Sequence, residues 1–209
     1  MSMEFTTILA AAPQRLDDLA LRFRARFQAL DWRSGQLIRV ALDTERDVFD
    51  ELYPEEYVSI DDPNFGIRVA AWQGWSNEYY TDGVTLYVLV GLASTHVNVM
   101  VDVSTRTLER LIAEDELNKY VSGLLAAADA SRATVGYGHY LLYFEPTTPE
   151  QAKQAISSLP EYPGESASLG LLSSREYSLE RAKTEYGEKF YLSISLTGHI
   201  LLLDKELTT

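Results

Sequence analysis

The sequence predicts an α+β fold: a mixed, mainly antiparallel sheet of about eight strands with about five helices packed on it. Three observations carry that expectation. Strand-like apolar runs recur in hairpin pairs, as in "VTLYVLVGLASTHVNVMVDV" at 84–103. Helix-period stripes fall between them and do not alternate one-for-one with strands, so a regular βαβ succession is missing. No glycine fingerprint links a strand to a helix, which disfavours a doubly wound nucleotide-binding sheet.

Taken in order, "EFTTIL" reads as a first strand. Pro13 then stands where a helix begins, and Leu16, Leu19, Ala20, Phe23, Phe27 and Leu30 form one apolar face. "QLIRVAL" is a second strand, and "ERDVFDELY" reads as a short helix capped by Asp43 or Thr44 and stopped by Pro54. "DDPNFG" is a turn, and "GIRVAAW" a third strand. The stretches 84–92 and 96–103 form a hairpin. Ser104, Thr105 or Thr107 caps one long helix whose stripe runs from Leu108 to Ala128. Residues 132–144 form a strand, with a bulge expected at its two glycines. Thr148 and Pro149 open another helix, 161–174 has the composition of a loop, and "SREYSLERAKTEYG" is the last helix. "KFYLSISL" alternates strictly and turns through "TGH" into "ILLLD". The 209 residues are expected to form a single α+β domain spanning 1–209, with a possible subdivision near 104–107.

Composition excludes several kinds of chemistry. With no cysteine there is no disulfide scaffold, thiol nucleophile or zinc–thiolate site. The three histidines, His96, His139 and His199, have no metal-ligand spacing, so neither a metal nor another cofactor is expected. The stretch around Ser166 lacks the strand–turn–helix setting of a nucleophile elbow, and no phosphate-binding glycine loop occurs. The N-terminal stretch lacks a basic region before its apolar run, and no uninterrupted apolar span of about 20 residues exists. A cytoplasmic protein is expected, with no membrane and no nucleic acid as partner. The net charge of −13 repels phosphate backbones and anionic lipid.

Charge placement is the strongest pattern. Residues 43–62 hold nine acids, Asp43, Glu45, Asp47, Asp50, Glu51, Glu55, Glu56, Asp61 and Asp62, against Arg46 alone. A surface built only for solubility intersperses both signs, whereas a one-sign run steers an oppositely charged partner. Tyr53 and Tyr57 lie inside the run, and tyrosine supplies interface area at low entropic cost. Downstream, "AAWQGWSNEYYTDG" packs Trp72, Trp75, Tyr79 and Tyr80 around Glu78. Trp72 is the core candidate there; Trp75, Glu78, Tyr79 and Tyr80 are candidate partner contacts. In "HVNVMVD" the valines share a core face, while His96, Asn98, Met100 and Asp102 share a mixed polar face that is exposed or contacts something.

The acidic run from Asp43 to Asp62, the opening helix "LDDLALRFRARFQAL" and the aromatic stretch "WQGWSNEYY" give the chain an overall type. It resembles the immunity proteins of bacterial polymorphic toxin and contact-dependent secretion systems. That resemblance implies a non-catalytic, cytoplasmic inhibitor that binds a cognate, basic toxin domain and blocks its active site or substrate entry. The competing expectation is an enzyme or small-ligand module, acting on a saccharide, with Glu78 and His139 as acid and base. A third is a subunit of a larger assembly whose acidic face serves solubility.

Overall fold

In the computed structural model, residues 4–14, 16–30, 37–43, 46–52, 67–74, 84–91, 97–141, 147–157 and 168–205 are described. Between 37 and 91 the description covers backbone and strand register alone. The strands are β1 (Glu4–Ala11), β2 (Leu37–Asp43), β3 (Arg46–Leu52), β4 (Ile67–Gly74), β5 (Val84–Gly91), β6 (Val97–Ser104), β7 (Val135–Leu141), β8 (Leu169–Ser173), β9 (Phe190–Ile194) and β10 (His199–Asp204). The helices are α1 (Leu16–Ala29), α2 (Thr105–Ala113), α3 (Leu117–Ser131), α4 (Pro149–Ser157) and α5 (Leu179–Tyr186).

One sheet runs in the order β3-β2-β4-β5-β6-β1-β7-β8-β10-β9, antiparallel at every described pairing. The α+β class stands, but the expected count of about eight strands does not. Six strands with described side chains, β1 and β6 to β10, form an antiparallel sheet, and β2 to β5 extend its order past β6.

Alternation along the strands divides the apolar residues between two faces. Phe5, Leu9 and Ala11 of β1 lie opposite Val103, Val99 and Val97 of β6, so the expected valine face is buried. Leu19 and Phe23 of α1, Leu108 and Leu111 of α2, and Tyr120 and Leu124 of α3 complete that core. On the opposite face Ala10, Val135, Leu172, Ile200 and Leu202 pack with Ala152 and Ile156 of α4, and with Ala182 and Tyr186 of α5. Two helical layers thus sandwich the β6–β1–β7–β8–β10 region. Truncating a fully buried leucine such as Leu124 costs about 2–5 kcal/mol in cores of this kind.

Several elements differ from the sequence reading, each for a physical reason. The segment "ERDVFDELY", expected to be helical, supplies strand β3 instead. Arg46–Leu52 pairs along its whole length with β2, because a hairpin closing at Asp43↔Arg46 lets Val48 and Phe49 join the ladder. The expected long helix from 105 is two helices. Its break falls at Asp115, whose φ of 56° is a left-handed turn that aspartate tolerates. Gly123, the anticipated weak point, is buried inside α3. The 161–174 loop is corrected in its second half, where "LGLLS" forms β8, buried along its length between β7 and β10. A strand flanked on both sides and covered on both faces shows no polar alternation, which hid it from pattern reading.

No bulge interrupts β7, whose register with β1 runs unbroken from Val135 to Leu141. Its glycines make room instead. A Cβ on Gly138 would meet the Thr7 hydroxyl oxygen at 2.5 Å and the Phe5 ring at 3.0 Å. That hydroxyl shares a 2.7 Å hydrogen bond with the buried Tyr120 hydroxyl, so there is little room to retreat. Gly138→Ala is expected to destabilise the fold by about 1–3 kcal/mol, read as a lowered midpoint in thermal unfolding.

The helix starts follow their local chemistry. Ser104 caps α2 by accepting the Thr107 N–H at 3.1 Å, and Ser178 caps α5 by accepting the Arg181 N–H at 3.2 Å. Before α4, Thr148 and Gln151 form a reciprocal capping box, with each side chain accepting the other's backbone N–H.

Candidate functional site

The acidic run maps first onto the end of β2 and onto β3. Asp43 closes β2, and Asp47, Asp50 and Glu51 lie within β3, the strand at one end of the sheet order. Register sets Asp50 opposite Arg39 and Arg46 opposite Asp43, whereas Asp47 and Glu51 stand opposite Leu42 and Ile38. The described part of the run therefore lies on strands at one end of the sheet order and not on the short helix expected from sequence. Glu45, Tyr53, Glu55, Glu56 and Tyr57 lie outside the described residues, as do Trp75, Glu78, Tyr79 and Tyr80. Trp72 lies within β4, opposite Leu86 of β5.

On the polar face of β6, Asn98 and Asp102 are buried and Met100 is half-buried. The Asn98 side-chain amide donates to the Thr147 carbonyl at 2.8 Å and its oxygen accepts the Thr147 N–H at 2.9 Å. The Tyr137 hydroxyl lies 3.2 Å from the Thr147 hydroxyl. This constellation fastens the chain just ahead of the α4 capping box, a structural task that the alternation of β6 flagged only as a polar face in contact with something.

Further along the same face, register places Asp102, Thr6 and His139 in one row across β6, β1 and β7. Asp102 and Thr6 are buried, and the His139 ring stacks on Tyr137 at 5.3 Å and 18°. Asp102 and His139 are two strands apart, roughly 9–10 Å between backbones. Glu78, the acid expected to act with His139, lies outside the described residues.

Of the other histidines, His96 is outside the described residues, and His199 is a core residue on β10. The ring nitrogens of His199 meet the Ala133 carbonyl at 3.3 Å and the Thr197 hydroxyl at 3.1 Å. Burial lowers its pKa below 6.5, against the opposing pull of the Ala133 carbonyl. A lowered folded-state pKa means that the unfolded chain binds the extra proton first. The stability owed to neutral His199 is therefore present above pH 6.5 and is lost as pH falls through the lower folded-state value. His199→Gln is expected to flatten that part of the stability–pH curve in urea titrations. Among the described residues no group of three or more His, Asp or Glu side chains could hold a metal, and no helix is long and apolar enough to cross a membrane.

No family model matches the chain, and no curated protein matches it either. Among solved structures it is similar to the Pseudomonas aeruginosa T6SS protein PA0821, with a TM-score of 0.51 at 11% identity over 96% of this chain. The match spans 66% of that structure's own chain. At this identity the likeness is one of fold, which places the chain beside a secretion-system-associated protein in architecture.

Proposed function

We propose that this chain is a non-catalytic, immunity-type inhibitor that binds a basic toxin domain and covers its active site. The observation that carries the reading is the run of nine acids and one base at 43–62, whose first part lies on the end strand of the sheet. The carboxylates of that strand attract a cationic surface before contact. The fold-level likeness to a T6SS protein is compatible with a secretion-system setting. Tyr53, Tyr57, Trp75, Tyr79 and Tyr80 would add aromatic anchors, with Glu45, Glu55, Glu56 and Glu78 extending the acidic field. The inhibitor would act in the cytoplasm, with no cofactor, nucleic acid or membrane among its ligands.

The reading is tested by co-expression with the product of a neighbouring reading frame that encodes a large secreted protein with a basic C-terminal domain. A complex that co-purifies, with the toxin domain's activity suppressed, is expected. No complex even at low ionic strength would overturn the proposal.

A further inference from the structure

The two end strands of the sheet are built differently. β3 carries Arg46, Asp47, Asp50 and Glu51, the charged composition with which natural sheets guard an edge. β9, "FYLSI", has no charge, proline or glycine between Phe190 and Ile194. The Ser195 N–H donates to the His199 carbonyl and the Lys205 N–H to the Lys189 carbonyl, which fixes the phase of the β9–β10 ladder. Main-chain groups of odd-numbered β9 residues face β10, so those of Phe190, Leu192 and Ile194 point to the outer edge. The side chains along that edge are also open. Tyr191 is 55% and Ile194 57% exposed, and Leu196 in the following turn is fully exposed.

We propose that β9 pairs antiparallel with β9 of a second copy of this chain, about a twofold axis through Leu192. The charge pattern admits that occupant. A strongly basic partner strand finds no complement on β9, where Lys205 lies over the Tyr191 ring, whereas a second copy sets no like charges opposite one another at any of the five strand positions. Core continuity points the same way. Phe190 is buried, and Leu192 packs against the α4–α5 core, yet Ile194 on the same face is left in solvent. The twofold places Ile194 beside Phe190 of the second copy, extending that core across the junction. On the other face it sets Tyr191 beside Ser193. The contact is isologous, so it closes at two copies and leaves both acidic β3 edges free for another partner.

The test is sedimentation equilibrium at about 100 µM, a concentration that populates even a weak dimer. The unmodified chain is expected to run as a dimer. Ile194→Lys and Ser193→Lys, both at exposed positions, are expected to weaken association at least about tenfold with unchanged far-UV circular dichroism. Leu21→Lys, on the exposed side of α1, is expected to leave it unchanged. The sequence has no cysteine, so a Tyr191→Cys, Ser193→Cys double variant gives an independent readout. Tyr191 and Ser193 would face each other as a non-hydrogen-bonded pair, within disulfide reach, and the oxidised double variant should run as a covalent dimer. A monomer at that concentration, a dimer indifferent to Ile194→Lys, or a double variant that oxidises no more readily than either single one would overturn the proposal.

Discussion

Reversing Asp47, Asp50, Glu51 and Glu55 to lysine is expected to slow association with the proposed partner, a basic toxin domain, by between about 10- and 10³-fold. Electrostatic attraction acts before contact, so the change should fall chiefly on the association rate. Stability should change far less. Asp50 is the one of the three β3 acids that register sets opposite a basic residue, Arg39, and a surface ion pair contributes under about 1 kcal/mol. A matched reversal of four exposed acids on and beside α5, Glu176, Glu180, Glu185 and Glu188, is the control. It makes a similar change in charge far along the sequence from the acidic run and should leave the association rate within about threefold of the parent. Rates measured by stopped-flow fluorescence would separate these outcomes, and equal slowing by both variants would reduce the acidic run to bulk charge.

The second large effect concerns the fold. Asn98→Ala is expected to destabilise the protein by about 1–3 kcal/mol, because it removes the Asn98 hydrogen bonds to both the N–H and the carbonyl of the buried Thr147. The cost should concentrate at α4, whose first turn follows directly on Thr147 and Thr148. Asn98→Asp is a sharper probe. It keeps an acceptor for the Thr147 N–H but sets a second oxygen against the Thr147 carbonyl, so it should recover little of the loss. Hydrogen exchange should show faster exchange from Ala152 to Ser157 in both variants, with α3 little affected. Uniform exchange across α3 and α4 would mean that the Asn98–Thr147 tie does not hold α4 in particular.

Much of this fold is legible in the sequence where periodicity and punctuation agree. The valine alternation of β6, the Thr148–Pro149 start of α4 and the closing β9–β10 hairpin all follow from local patterns, as does the existence of α1, although it begins at Leu16 and not at Pro13. The misread elements are those whose environment is set by distant residues. "RDVFDEL" has the charge density of a helix surface, and pairing with β2 is what makes it a strand. "LGLLS" is apolar on both faces because β7, β10 and helices enclose it. At the level of the site, the acidic run is visible as composition, but its place on the last strand of a sheet depends on strand order, which no local pattern encodes. The Asn98–Thr147 tie is of the same kind, since 49 residues separate its partners.

The central claim is that a one-sign acidic surface beginning on β3 recruits a basic protein partner. The most direct measurement is the association rate with the basic C-terminal toxin domain across a series of salt concentrations. The account predicts a rate that falls at least about tenfold between about 0.01 and 0.15 M ionic strength. For the Asp47, Asp50, Glu51 and Glu55 reversal it predicts a slow rate that hardly changes over that range. A rate for the unmodified pair that stays constant from low to high salt would contradict it.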